Sequence, residues 1–509
     1  MKLNYKRTFY VGSAFFLILL FWQTYDAIIP KMLIDKFGMS HFWSGAIMAI
    51  DNVLALFLLP LFGSISDRHK GKRGKRTPFI VVGTIIAAIS FMGLSVVDSV
   101  QLSKLDDIVA VTDSESEGYE AAMEALYDSG VEITIEGKKA PISEHIDKQE
   151  FTSIENDTDE YTKYVVSARQ AYAAKVTDHN KLTLLIFVVI LLITLISMAI
   201  FRSPAVALMP DVTPKPLRSK ANAVINLMGS AGGVLVLVLG ILFGTGNTKN
   251  DLMNYIPVFA LTSCIMLVSL AFFVWKVNEP KFVSEMEEQS RELAIVEDDA
   301  EKVENSKKLS KSEVRSLFFI LASVVFWFMG YNAITSKYSV YASSVLRMDF
   351  NLTLIIAQAT AIIAFIPVGM LASKIGRKKS ILIGILCLGA SFAMAAFVKA
   401  GTSVWIVNSL FVLAGLGWAT INVNSYPMVV EMSRGSNIGK YTGYYYTASM
   451  AAQTITPIIS GKIFDAIGMG AMFPYGAIFV FLSFVTMLFV KHGDSIPDKS
   501  SPSIEDIEI

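Results

Sequence analysis

The sequence predicts an all-α membrane protein: twelve transmembrane helices in two six-helix, pseudo-symmetric halves, with an extracytoplasmic insertion between helices 3 and 4. Three observations carry this. Apolar segments of spanning length recur along the chain, two motifs repeat at one constant separation, and Lys and Arg gather in alternate short loops. Of 509 residues, 53% are apolar and 17% charged, and the mean hydropathy is +0.51. Soluble chains carry about 25% charged residues. Here charge is nearly absent from whole windows such as 184–201 and 471–490. A soluble enzyme is excluded.

A membrane-spanning helix needs about 20 apolar residues. On that basis the spans fall at 9–32, 42–65, 78–97, 182–209, 221–243, 255–275, 316–337, 353–373, 379–398, 404–430, 439–463 and 471–490. The chain then divides into helices 1–3 (1–97), a polar insertion (98–181), helices 4–6 (182–275), a linker (276–315), a second six-helix half (316–491) and a tail (492–509). The insertion has 19 acidic against 8 basic residues and a helix, strand-turn, helix pattern at 118–127, 131–139 and 159–176. It reads as a solvated cap, or as a lid that captures substrate or a partner. The linker is mixed in sign and reads as flexible.

Topology follows from Lys and Arg in short loops. With the N-terminus cytoplasmic, the inner segments carry 28 such residues and the short outer loops only 7: Lys31, Lys36, Lys249, Lys337, Arg347, Lys399 and Lys462. Both termini are therefore expected inside, and the insertion outside. The first apolar stretch runs on without a small-residue cleavage site, so it reads as a span and not a signal peptide. Cys264 and Cys387 both sit in apolar runs. They offer no disulfide framework or metal spacing, and read as small packing residues. The triplets starting at Asn156 and Asn351 have the glycosylation pattern, which recurs by chance.

Tyr25-Asp26-Ala27-Ile28 in the first span returns as Tyr331-Asn332-Ala333-Ile334 in the seventh, 306 residues later (331 − 25). Gly63, before Asp67-Arg68 and Gly74-Lys75-Arg76, returns at the same separation as Gly369, before Ser373-Lys374 and Gly376-Arg377-Lys378 (369 − 63 = 306). Two matches at one separation describe two homologous halves. The loop GSISDRHKGKRGKR (63–76) resembles the signature loop of the major facilitator superfamily, whose architecture is two parallel six-helix halves. Within it, Gly63 permits close helix approach, while Arg68, Lys75 and Arg76 hold the cytoplasmic side. The resemblance implies that Asp67 helps latch the halves there, more weakly in the second half where Ser373 replaces the acid. Asp211 and Glu431 end the fourth and tenth spans and read as cytoplasmic gate partners for Arg68 or Lys75, or as solvated charges. The stretches FRSPAVALMPDV (201–212), RSKANAVINLMGSAGG (218–233) and RGKRTPFI (73–80) resemble the sucrose-transporter branch, next to the glycoside–pentoside–hexuronide:cation symporters.

Charged residues inside spans are costly and usually face a cavity. Asp26, about 17 residues into the first span, and Asp51, about nine into the second, reach similar depths at 1.5 Å per residue. Two such acids disfavour double ionisation, which suits proton coupling. With Asn52 or Thr24 they could instead ligate sodium, or simply bond helix to helix. Arg202 is the basic residue deepest in a span, and it either snorkels or presents a planar fork of donors; the resemblance implies sugar binding or pairing with a coupling acid. Sugar sites combine aromatic faces with amides and hydroxyls. Trp22, Gln23, Tyr25, Tyr331, Asn332, Asn422, Asn424 and Gln453 supply them from the helices that line the cavity in the resembled family. The expectation is a proton-coupled sugar symporter (a disaccharide or other glycoside such as sucrose or maltose), with sodium coupling, another polar solute, or a transporter-like sensor as alternatives. No nucleotide loop, metal-spaced His/Cys set or Ser-His-Asp pattern points to an enzyme. No cofactor or nucleic-acid partner is expected, and the chain is expected as a monomer in a plasma (bacterial inner) membrane.

Overall fold

Where water is absent, a helix satisfies its own backbone hydrogen bonds, and each long apolar segment folds as one. The computed structural model describes residues 3–135, 137–156, 158–214, 218–292, 310–432 and 438–493. Its long helices are α1 Tyr5–Lys31, α2 His41–Arg68, α3 Thr77–Leu102, α4 Lys181–Asp211, α5 Arg218–Phe243, α6 Ile256–Lys276, α7 Lys311–Thr335, α8 Phe350–Ile375, α9 Arg377–Ala395, α10 Val404–Glu431, α11 Ile438–Ile467 and α12 Met472–Leu488. Among the described residues, ten helices are long and apolar enough to cross a membrane. The other two are α8, whose apolar stretch is the shorter Phe350–Phe365, and α11, which carries Lys440, Lys462 and Asp465.

The packing repeats. In the first half α1 lies on α5 and α6, α3 on α4 and α6, and α2 on α4. Adding six to each number gives the packing of the second half: α7 on α11 and α12, α9 on α10 and α12, and α8 on α10. The halves meet along α2–α11 and α5–α8. Large apolar side chains such as Phe57, Val268, Ile363 and Trp405 point outward from this bundle, as a lipid-facing surface requires.

Three expectations are corrected. Lys31 and Lys36 are not loop residues, because α1 continues through a π turn, Met32–Lys36. Both are buried: Lys31 Nζ bonds Asp251 Oδ1 at 2.8 Å and Lys36 Nζ bonds Asp98 Oδ2 at 2.6 Å. The start of the linker is not flexible chain but a helix, Glu279–Glu292, whose Phe282, Val283 and Met286 form an apolar stripe against the bundle. Cys264 is exposed on α6 and not buried. Asn351 is also buried and bonded to Asp349, which excludes it as a glycosylation acceptor.

The insertion is a folded layer with its own apolar core. Helix Tyr119–Asp128, an antiparallel hairpin of β1 Glu132–Ile135 and β2 Lys138–Pro141, and helix Ser167–His179 follow in order. Strand alternation turns Ile133 and Ile135 inward, onto a core that includes Met123, Leu126, Phe151 and Val165. Leu252, from the α5–α6 loop, completes it.

Candidate functional site

Between the halves lies a cavity of about 280 Å³. On α1, Ile18, Trp22 and Asp26 recur every four residues and so share one face; Leu19 and Tyr25 flank them. From α2 come Met48, Asp51 and Asn52, from α4 Arg202, from the end of α7 Asn332, Thr335 and Ser336, and from α11 Gln453 and Pro457. A wider recess of about 410 Å³ lies at the loop end between residues 69–75 and the linker helix, away from these intramembrane charges.

The cavity's chemistry is specific. Asp26 sits mid-helix yet is exposed, because it faces the cavity. Asp51 Oδ1 accepts a 2.7 Å hydrogen bond from Asn52 Nδ2. The Arg202 guanidinium stands 5.6 Å from the centre of the Trp22 ring, a cation–π distance, and lies within electrostatic reach of Asp51. Three further polar atoms around it, Trp22 Nε1, Tyr25 Oη and Asn332 Nδ2, are buried without a hydrogen-bond partner. Leaving a buried donor unpaired costs about 1–3 kcal/mol, so small side-chain rotations that open these three to the cavity are cheap.

Of the sequence-derived binding and coupling residues, Trp22, Tyr25, Asp26, Asp51, Arg202, Asn332 and Gln453 line this one cavity. Gln23 is turned to the α1–α8 contact, where its Oε1 accepts from Gln358 Nε2 at 2.6 Å across the two halves. Tyr331 stacks on Trp418 with centroids 3.6 Å apart. Asn424 is buried and donates to the Thr420 carbonyl of its own helix at 2.9 Å, and Asn422 is not among the lining residues. Thr24, weighed as a cation ligand, bonds the Leu20 carbonyl instead. Sequence reasoning missed Thr335 and Ser336. They end α7 beyond the repeated motif, and only the helix phase set by Asn332 would have pointed to them.

At the end bearing the linker, the acidic and basic signature residues meet within the first half. Arg76 holds Asp67 through Nη2 and Asp211 through Nε, the latter at 2.8 Å, and bonds Ser66 Oγ and the Gly63 carbonyl. The expected partners Arg68 and Lys75 are therefore replaced by Arg76. Arg68 is exposed, and Lys75 is engaged through its backbone N–H, which donates to Glu279. Gly63 approaches α4 closely: a Cβ there would press on Ser203. The side chain of Glu431 lies outside the described residues, as do those of Ser373 and Lys374.

At the opposite end, where the insertion sits, bonds cross between the halves. The N–H groups of His41 and Phe42, which open α2, donate to the Asp465 carboxylate of α11 at 2.6 and 2.8 Å. Lys337 Nζ reaches Ser44 Oγ at 2.7 Å, and Asn351 reaches Thr245. Gly45 and Gly461 let α2 and α11 touch backbone to backbone. The halves are thus drawn together at the insertion end.

The profile described as Major Facilitator Superfamily matches residues 171–421 and 348–506, well over half of the chain. The chain belongs to the Major Facilitator Superfamily. It is an integral, multi-pass membrane transporter and not an enzyme. A second profile, MFS/sugar transport protein, matches residues 10–110. The transporter is 39% identical to the sucrose transport protein SUC4 of Arabidopsis thaliana over 59 residues, 12% of each chain. It is 28% identical to the uncharacterized MFS-type transporter C18.02 of Schizosaccharomyces pombe over 158 residues, 31% of this chain and 34% of that one. These matches therefore span about a third or less of either relative's length. Among solved structures, the inward open xylose transporter XylE of E. coli superposes with a TM-score of 0.55 at 15% identity, covering 95% of both chains. A D-xylose-proton symporter gives 0.55 at 14%, covering 95% of this chain and 97% of that one. A peptide-bound POT family transporter gives 0.54 at 11%, covering 94% and 95%. At these identities the likeness establishes the fold alone.

Proposed function

We propose that this transporter carries a neutral, polyhydroxylated solute of the sugar class together with a proton, by alternating access of the two halves to a site in the central cavity. The observation that carries the proposal is the cavity lining itself: the amides of Asn52, Asn332 and Gln453 and the hydroxyls of Thr335 and Ser336 beside the Trp22 ring and the Arg202 guanidinium 5.6 Å from it. Sugar hydroxyls are acceptors as well as donors, and a pyranose face suits an indole. The sugar-transport profile over 10–110 and the short SUC4 match support the same class.

Charge arithmetic supplies the coupling. Asp26 and Asp51 against Arg202 leave one net negative charge facing the cavity. Closing the halves over an unneutralised charge is strongly disfavoured in low dielectric. A proton on Asp26 leaves the Asp51/Arg202 pair neutral, so the loaded cavity can occlude. Departure of the solute readmits water and favours release of the proton. Asn52 beside Asp51 would be the extra oxygen donor if sodium were the ion. We place both termini in the cytoplasm and the insertion outside, in a plasma (bacterial inner) membrane, with the monomer as the working unit and the segment boundaries read from the sequence. Purified protein in liposomes, given labelled sucrose or maltose and an imposed pH gradient, tests the reading. Uptake driven by the gradient without sodium is expected. Uptake that needs sodium would move Asp26 and Asp51 into a cation site, and no uptake of either sugar would overturn the solute class.

A further inference from the structure

The insertion touches both halves, with different chemistry on each side. Toward the first half it is fastened by buried charge and by backbone. Arg169, 1% exposed, bridges Asp35 at 3.3 Å and Asp251 at 3.1 Å. Gln101 Nε2 donates both to Thr177 Oγ1 and to the Lys36 carbonyl, each at 3.0 Å. At Gly38, whose φ is 62°, helix Ser167–His179 comes so close that a Cβ would run into the Ala174 backbone. Pulling such an ion network apart strands buried charges. The insertion and the first half therefore move as one body.

Toward the second half the joint is small and reversible. Thr162 Oγ1 donates to the Ser344 carbonyl at 3.0 Å. Arg347 Nη2 reaches Asp159 Oδ1 at 3.1 Å and Thr162 Oγ1 at 3.3 Å. Asp159 is 97% exposed, and ion pairs with an exposed partner are weak and easily remade. Arg347 is also the one non-glycine residue with a positive φ among the described residues, at φ 53° and ψ 44°. A bulky residue pays strain in that region, and here the strained residue is the one whose side chain makes the joint.

We infer that the insertion is a clasp for the gate at its own end of the molecule: it rides with the first half, grips Ser344 and Arg347 while that gate is shut, and lets go when the halves rock open there. The inference rests on motion of one half against the other, not on the solute or ion carried, so it stands or falls apart from the proposed function.

Spin-label distances in the full-length protein test it. In a Cys264→Ser/Cys387→Ser background, one pair of labels at Glu124→Cys and Lys399→Cys reports insertion to second half. Another pair, at Glu124→Cys and Trp43→Cys, reports insertion to first half. All three sites are exposed. Arg347→Ala should raise the population at longer 124–399 distance about threefold to fivefold, while the 43–124 distance stays single and unchanged. Thr162→Val, which removes the Thr162 bonds to Ser344 and Arg347 but keeps the Asp159–Arg347 pair, should shift the same population in the same direction to a smaller extent and serves if the arginine variant fails to fold. A 124–399 distribution unmoved by the folded variants would overturn the clasp. So would a 43–124 distance that shifts with them, because the insertion would then not belong to the first half.

Discussion

Arg169→Met is the most informative single change for the insertion. The group it disturbs is charge-balanced: Lys31 and Arg169 face Asp35 and Asp251, all nearly or fully buried. Without the arginine, two carboxylates remain against one ammonium. Asp251 keeps Lys31 at 2.8 Å, but among the described residues the side-chain hydrogen bond left to Asp35 is that of the Gln170 amide at 3.3 Å. Stranding a buried charge costs about 3–5 kcal/mol, and local opening of helix Ser167–His179 should become cheaper by that amount. Amide hydrogen exchange in this helix should therefore speed up about a hundredfold to several thousandfold. The double variant Arg169→Met/Asp35→Asn restores neutrality and leaves the Lys31–Asp251 pair intact, so exchange should return most of the way. A single variant that exchanges less than tenfold faster, or a double variant worse than the single, would refute the reasoning.

Three more expectations follow from the same structure. Burial would raise the Asp251 carboxyl, but Lys31 and Arg169 outweigh it and hold its folded pKa below the ordinary carboxylate value. A group depressed on folding contributes stability that is complete above its unfolded pKa, about 4, and is lost as the pH falls through the folded value; in Asp35→Asn, which removes the other carboxylate of the cluster, exchange protection of helix Ser167–His179 should decline progressively as the pH falls below about 4. Gly45→Val places a side chain against the Pro457 carbonyl where α2 meets α11; overpacking of about 1–3 kcal/mol should prop that end open and cut uptake at least tenfold, with folding checked by circular dichroism. The Glu279 carboxylate caps α3, accepting from the N–H groups of Lys75, Arg76 and Thr77 and from Thr77 Oγ1; Glu279→Ala should cost about 1–2 kcal/mol, read as a lower thermal midpoint in detergent.

What was legible in the sequence was what periodicity and charge encode locally. The 306-residue repeat of Tyr25-Asp26 as Tyr331-Asn332 reappears as one packing pattern used twice. Asp26, Asp51 and Arg202 stood out because charge inside a span is costly, and all three line one cavity. Helix phase explains the rest. Gln23 follows Trp22 in sequence but points about 100° away around the helix, which aims it at Gln358. Asn424 is silenced by its own helix backbone, a contact that any Asn in a helix can make. Lys31 and Lys36 look like loop charges in the sequence because their acidic partners, Asp251 and Asp98, lie 220 and 62 residues away. Pairing at such separations leaves no local mark. The partner expected for Asp211, Arg68 or Lys75, fails for a related reason: several cations crowd the 63–76 loop, and only the fold selects Arg76.

The measurement closest to the central claim follows protons directly. Liposomes loaded with a pH-sensitive dye and reconstituted with the transporter would receive sucrose or maltose with no imposed gradient. Solute entry should acidify the lumen in the wild type. Asp26→Asn removes the titrating carboxylate while keeping its shape, and should abolish acidification while still exchanging labelled sugar across the membrane. Acidification that survives in Asp26→Asn would contradict the account, because the proton would then travel by a route that bypasses this cavity.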